Sequence, residues 1–250
     1  MKITVTQPRE DFYRAAAWRI ACEIAATPKA VIGLSTGRTT GNIHRTLCGI
    51  CRSGNFDVSG VTFFGLDEVT GVDREYAGAC YAMLRNELMD ELGIKDDNFL
   101  MLPTRSHDFE GECRRFTDEI ARRGGIDLLI LGLGENGHLG FNQPGSPLNC
   151  GCRVAEMDPV LEARIRRETG SAPDHKLGGV TLGLRDIMHA RRIVLVANGA
   201  NKSTIVRQML TGEISSDIPA TVLQLHPDCE FLLDSAAAAE INVEKLRKDA

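Results

Sequence analysis

Ala30-Val31-Ile32-Gly33-Leu34-Ser35-Thr36-Gly37-Arg38-Thr39-Thr40-Gly41 passes from an apolar, β-branched run into a turn of glycines and small hydroxyl residues, and then into a helical pattern. A buried strand that empties through such a turn into a helix is the opening half of a βαβ unit. The same change of period recurs on both sides of it. Strand-like runs are expected over 2–6, 30–34, 61–66, 99–102, 126–131, 193–197 and 230–233, and helices over 8–26, 40–52, 79–92, 110–123, 202–210 and 236–248.

This alternation predicts an α/β fold: a doubly wound, mostly parallel sheet with helices on both faces, modified Rossmann-like, in one domain over 1–250. The exception is the stretch from about 140 to 179, rich in Gly, Pro, Ser and Arg, with a short helical piece near 158–167. A segment this long inside a compact domain is more often functional than a linker, and an active-site lid is expected around 145–179.

The chain has 250 residues and a formal charge of −5, with no long basic run, so nothing points to nucleic acid or an anionic membrane as partner. An anionic ligand must therefore be held by locally placed cations. Met1-Lys2-Ile3-Thr4-Val5-Thr6-Gln7-Pro8 lacks a signal-peptide pattern, and no apolar window approaches the ~18 residues of a membrane span. A cytoplasmic location is expected, with the eight cysteines reduced. Cys48 and Cys51 form a C-x-x-C and Cys150 and Cys152 flank Gly151, but a zinc site needs about four ligands in two such clusters, and Cys48 and Cys51 fall late in a helix. They read as packing thiols.

Three stretches carry chemistry. In the first, residues 33–41, backbone N–H groups and hydroxyls can converge on an anion at the positive end of a helix. It is not a Walker loop, because three residues separate Gly33 from Gly37 and Arg38 stands where that motif needs Lys. A Gly-rich turn with a Thr cap is the plain alternative. Gly33-x-Ser35-x-Gly37 also matches the nucleophile elbow of serine hydrolases, for which Asp67 and His138 could complete a triad.

In the second, Val61-Thr62-Phe63-Phe64-Gly65-Leu66-Asp67-Glu68, an apolar strand ends in adjacent carboxylates where strand ends open onto a ligand crevice. Successive residues point to opposite sides, so the two acids have different roles. The third, Leu131-Gly132-Leu133-Gly134-Glu135-Asn136-Gly137-His138-Leu139-Gly140-Phe141-Asn142-Gln143-Pro144-Gly145, satisfies G-x-G-x-x-G, yet its continuation is too rich in Gly and Pro for the helix that a dinucleotide pyrophosphate needs. His138, in a glycine-lined strand exit, reads as a proton carrier. His107, His175, His189 and His226 lack such a setting.

Together, Ser35-Thr36-Gly37-Arg38-Thr39, Leu66-Asp67-Glu68 and Gly132-Leu133-Gly134-Glu135-Asn136-Gly137-His138-Leu139-Gly140-Phe141-Asn142-Gln143-Pro144 resemble the glucosamine-6-phosphate deaminase family, in register over nearly the whole chain. Gly124-Gly125-Ile126-Asp127, residues 180–187 and Ser216-Asp217-Ile218-Pro219-Ala220 look closer to its galactosamine-6-phosphate isomerase branch. The resemblance implies conversion of an amino-sugar 6-phosphate to the ketose 6-phosphate plus ammonia. It makes Thr36, Gly37, Arg38 and Thr39 the phosphate loop, with Ser35, Glu68 and Gly137 beside the ligand, aided by Lys202 and by Arg167 from the lid. It makes Asp67 the base that moves a proton from carbon 2 to carbon 1, and His138, with Asn136 near it, the ring-opening group. Positioned side chains can carry these proton transfers, so neither metal nor other cofactor is expected.

One position departs from the pattern: Gln143 stands where the family usually has the Glu that would pair with the histidine, which implies a lower proton affinity for His138. The expected partner is a phosphorylated amino sugar, and a homo-oligomer is compatible with such an enzyme. A 6-phosphogluconolactonase shares the expected scaffold but would show a G-P-D-G-H-T-type stretch in place of Glu135-Asn136-Gly137-His138-Leu139. A non-catalytic sugar-phosphate sensor would carry a DNA-binding module, for which one helix ahead of residue 30 leaves little room.

Overall fold

The computed structural model describes residues 2–7 and 9–248. Seven strands form one parallel sheet: β1 (Lys2–Thr6), β2 (Val31–Leu34), β3 (Thr62–Gly65), β5 (Phe99–Leu100), β6 (Leu128–Gly132), β9 (Arg192–Ala197) and β10 (Cys229–Asp234), in the order β1-β10-β9-β6-β2-β3-β5. Each matches an expected strand within about two residues.

The apolar runs read as strands because both faces of the sheet are covered. Ile32, Phe63, Leu128, Ile130, Val194 and Leu232 pack into one core with α1 (Arg9–Ala26) and α2 (Arg38–Gly54). Their neighbours Val31, Phe64, Leu129, Leu131, Leu195 and Phe231 pack into the other with α5 (Phe109–Arg122) and α8 (Ser203–Thr211). The period of two is invisible in composition because both positions are apolar. Helix α1 shows the complementary helical period, with Phe12, Ala16, Ala17, Ile20, Ala21 and Ile24 buried. Pro8, where this helix was expected to start, lies outside the described residues.

From β2 the chain moves outward to β3 and β5, whereas from β6 it moves the other way to β9 and β10. The loops after β2 and β6 therefore diverge, and a crevice opens at the carboxyl ends of these two strands.

A second sheet of three antiparallel strands, β4 (Asp67–Thr70), β8 (Gly178–Thr181) and β7 (Arg153–Ala155), was not expected from the sequence. Leu66 joins the two sheets: its N–H donates to Leu34 O at 2.9 Å in the large one, and its carbonyl accepts from Leu182 N at 3.0 Å on the side of the small one. Asp67 and Glu68 thus begin a new strand instead of ending the old one in a loop. The helix α6 (Pro159–Thr169) lies between β7 and β8, inside the expected lid. Its Ile165 joins Met157 and Leu177 in a small core against Val69, Ala82 and Phe141.

The C-terminal helix is shorter than expected. Residues 235–240 form turns, and only Val243–Lys248 is helical, as α9. Asp234 accepts from Ala237 N (2.7 Å) and Gly199 N (3.0 Å), while Glu240 accepts from Ser203 Oγ (2.8 Å) and Thr204 Oγ1 (2.7 Å) at the start of α8. These side-chain bonds hold the alanine run in turns despite its helix propensity.

Candidate active site

The loop after β2 reaches α2 through Gly37, which caps the helix without a side-chain bond. The first-turn N–H groups are thus left without intrahelical acceptors and face the crevice between β2 and β6, a setting that attracts an anion. Thr39 Oγ1 donates to Asn198 Oδ1 at 2.7 Å, which ties this loop to the turn at Gly199 that leads into Lys202.

Ser35 faces inward. Its hydroxyl donates to Ile130 O at 3.0 Å and accepts from Gly132 N at 3.4 Å, so it bridges β2 and β6. Among the described residues the only non-glycine with positive φ is Asn55, so Ser35 lacks the strained turn that a nucleophile elbow requires. The serine-hydrolase alternative fails on both counts.

At the start of β4 the two carboxylates separate as the strand geometry demands. Glu68 is fully buried and accepts from Val69 N (2.7 Å), Cys80 N (2.7 Å) and Tyr81 N (2.8 Å), which binds it to the N-terminus of α3 (Cys80–Leu84). Burial pushes its pKa up to about 7, against the pull of these three donors and with the charge of Asp67 adding to the rise. Both Glu68 oxygens thus accept from backbone N–H groups, and the contact with ligand expected of it is not among the bonds described.

Asp67, by contrast, has a single donor among the described residues, the Cys80 thiol at 3.6 Å from Oδ1. Burial raises Asp67 to about 6, with the thiol pulling the other way. Its other oxygen, Oδ2, lies beside Gly140, where a Cβ would stand only 3.0 Å away. Thr36 Oγ1 donates to the same sulfur at 3.2 Å, which links the anion loop to the carboxylate.

The run after β6 makes turns and no helix through residue 152. His138 folds back over Gly134, whose missing side chain makes room: a Cβ there would meet the ring at 2.3 Å. Asn136 Oδ1 accepts from His138 N (3.1 Å) and faces His138 Nδ1 (2.7 Å), while Asn136 Nδ2 donates to Gln143 Oε1 (3.0 Å). With its amide oriented by these bonds, Asn136 requires the proton on Nδ1 and leaves Nε2 as the free acceptor. Gln143 thus reaches the histidine only through Asn136, not by the direct pairing expected from the sequence. Burial lowers the His138 pKa and the charge of Lys202 lowers it further, while Asp158, the N-cap of α6, acts in the opposite sense. Gly137 is buried, its N–H on Gly134 O (3.1 Å) and its carbonyl on Ala220 N (2.9 Å), so it shapes the turn that carries the ring.

Lys202 is half-buried, and burial depresses its pKa while Glu135 partly restores it. Arg38 and Arg167 are exposed. Most described arginines sit beside a carboxylate, whereas Arg38, Arg167 and Lys202 form no ion pair with another described residue. A half-buried ammonium with no carboxylate in direct contact among the described residues favours an incoming anion. Thr36, Gly37, Thr39, Asp67, Asn136, His138, Gln143 and Lys202 are therefore linked around one crevice by the contacts above. Arg167, in the last turn of α6, has no bond to the anion loop.

The sequence reading missed Cys80 and Asn198, which join the loop, the carboxylate and the lysine turn, and Asp158, whose charge reaches His138. No local pattern marks them. Among the described residues, no helix is long and apolar enough to cross a membrane, and no group of three or more His, Cys, Asp and Glu is placed to hold a metal.

The family described as glucosamine-6-phosphate isomerases/6-phosphogluconolactonase matches residues 8–230. The chain is 34% identical over 248 residues to a glucosamine-6-phosphate deaminase of Thermoanaerobacter pseudethanolicus, covering 99% of this chain and 98% of that protein. It is 34% identical over 239 residues to the glucosamine-6-phosphate deaminase of Clostridium perfringens strain SM101, at 95% and 98% coverage. Among solved structures, a monomeric glucosamine-6-phosphate deaminase superposes with a TM-score of 0.89 at 30% identity, over 96% of this chain and all of that one. The 6-phosphogluconolactonase of Trypanosoma brucei gives a TM-score of 0.75 at 22% identity, over 96% of this chain and 98% of that one, a likeness of fold.

Proposed function

The chain belongs to the glucosamine-6-phosphate isomerase/6-phosphogluconolactonase family, and on that basis we propose that it isomerises an amino-sugar 6-phosphate and releases its amino group as ammonia. Glucosamine 6-phosphate is the first substrate to try, since it is the one named for the relatives. Supporting the reading, beyond the similarity along the whole chain, is Asp67: a buried carboxylate raised to about 6, with one oxygen free beside the turn that presents His138.

In this reading the phosphate sits on the N–H groups and hydroxyls of Thr36, Gly37, Arg38 and Thr39, with Lys202 and Arg167 supplying positive charge. His138 Nε2 takes the anomeric hydroxyl proton and returns it to the ring oxygen, so the C1–O5 bond breaks and the aldehyde forms. Asn136 keeps the ring in the required tautomer. Asp67 then removes the proton from carbon 2, the electron pair shifts onto the carbon 1 oxygen, and that oxygen takes a proton from the substrate's own ammonium group, which gives an enolamine. The same carboxyl returns the proton to carbon 1. Carbon 1 is reduced as carbon 2 is oxidised, and the resulting ketimine takes up water and loses ammonia. A base near pKa 6 is ionised at neutral pH yet basic enough to accept a proton, the compromise that general base catalysis favours.

Residues 145–179 act as a lid of the one domain, with α6 closing over the crevice. The eight cysteines, none in a disulfide, fit the reducing cytoplasm.

The test is ammonia release over glucosamine 6-phosphate and galactosamine 6-phosphate, with the unphosphorylated sugars and 6-phosphogluconolactone as controls. Asp67→Asn should abolish release while leaving phosphosugar binding within roughly tenfold, because the amide keeps the shape but cannot take the proton. Lactone hydrolysis without ammonia release would transfer the chain to the lactonase reading.

A further inference from the structure

Cys80 opens α3, and Glu68 fixes where it does so. The Glu68 carboxylate, set in β4, accepts from Cys80 N at 2.7 Å and Tyr81 N at 2.8 Å, which anchors the first turn of the helix to the strand that carries Asp67. The Cys80 side chain is thereby brought over the neighbouring acid, with Sγ 3.6 Å from Asp67 Oδ1 and 3.2 Å from Thr36 Oγ1. The residue is 5% exposed, and burial together with the charges of Asp67 and Glu68 keeps its sulfur as the thiol. An ionised carboxylate only accepts, so the S–H must point at Oδ1 and the Thr36 hydroxyl must donate to the sulfur. The direction of the relay is set by the acid at its end.

We propose that Cys80 is a positioning residue for the base: its S–H holds Asp67 Oδ1, leaves Oδ2 as the oxygen that takes the proton, and joins the base to the anion loop through Thr36. The proposal rests on the reading of Asp67 as the base. A methyl group at this position would leave Oδ1 in a buried site with no donor, where the charged form is disfavoured. A hydroxyl would restore a donor.

The test compares the full-length wild type with Cys80→Ala and Cys80→Ser. The carboxyl titration of Asp67 is followed by carbon NMR on protein labelled at the aspartate carboxyls, the signal being assigned by its loss in Asp67→Asn. In Cys80→Ala the midpoint should rise by about one pH unit, a change of about 1.4 kcal/mol, and in Cys80→Ser it should return to within about 0.3 unit of wild type. The acid limb of the pH profile of kcat/KM for ammonia release should shift with it, whereas a loss of packing alone would lower activity at every pH. An unmoved midpoint in Cys80→Ala, or an equal rise in both variants, overturns the role of Cys80. If the wild type releases no ammonia from any hexosamine phosphate, the functional reading fails separately, and the titration still decides whether the thiol holds the carboxylate.

Discussion

Gln143→Glu is the substitution that most directly probes how His138 is held. The new carboxylate would receive the Asn136 Nδ2 donor now 3.0 Å from Gln143 Oε1, while Asn136 Oδ1 lies 2.7 Å from His138 Nδ1. With one amide between them, the added charge stands roughly 7 Å from the imidazole, and an effective dielectric constant of roughly 20 to 80 gives an attraction of ~0.6–2.4 kcal/mol. Asn136 is exposed and Gln143 half-buried, so the weaker half of that range applies, a rise of about 0.5–1 pH unit in the His138 pKa. The wild-type value is already depressed, by burial first and by Lys202 second, so the substitution moves it back toward an ordinary histidine. The pH profile of ring opening should therefore move upward. Ammonia release is measured across pH for both proteins, with the cyclic substrate and with an analogue that cannot close its ring. The shift is expected with the first and absent with the second, because the transfer at carbon 2 belongs to Asp67. An unchanged profile, or equal effects on both substrates, would show that the Gln143–Asn136 chain does not act on ring opening and that His138 has another task.

Lys202→Ala removes a half-buried ammonium and should weaken phosphosugar binding about 10- to 100-fold, whereas the exposed Arg167 should account for only a few-fold; unchanged titration curves for both would mean that the anion site is misplaced. Ser35→Ala loses the bond to Ile130 O and about 1 kcal/mol of stability, yet should keep substantial activity, and a fluorophosphonate should not label the protein; stoichiometric labelling at Ser35 would revive the hydrolase mechanism. Glu230 is pushed up by burial but held down at about 2 by donors on Arg19, Thr4 and Lys2, so its stabilisation is present above about pH 4 and is lost as the pH falls toward 2. Because Lys2 and Arg19 are partly exposed, Glu230→Gln should cost only about 1–3 kcal/mol at pH 7 in denaturant titrations, with the gap to wild type closing in acid; a gap that stays constant with pH would assign the loss to packing.

The seven strands of the large sheet were all legible in the sequence, because burial on both faces leaves continuous runs such as Leu128-Leu129-Ile130-Leu131 that admit little else. The positions of Thr36, Asp67 and His138 followed from the same source, since each lies just beyond such a run, at the end where a parallel sheet opens. The small sheet could not be read in this way. Asp67-Glu68-Val69-Thr70 and Gly178-Gly179-Val180-Thr181 have weak strand character of their own, and they become strands by pairing across more than a hundred residues, Asp67 opposite Thr181. The alanine run after Asp234 shows the converse, a strong local preference overruled by side-chain bonds to Gly199 and Ser203. Which segments are buried, and at what period, could be read along the chain, because that pattern is written in neighbouring residues. The placing of Cys80 between Thr36 and Asp67, the anchoring of a helix by Glu68, and the path from Gln143 to His138 through Asn136 all depend on how the chain packs. A hydrogen bond between residues far apart in the chain depends on where whole elements pack, and neither partner's local sequence records the other.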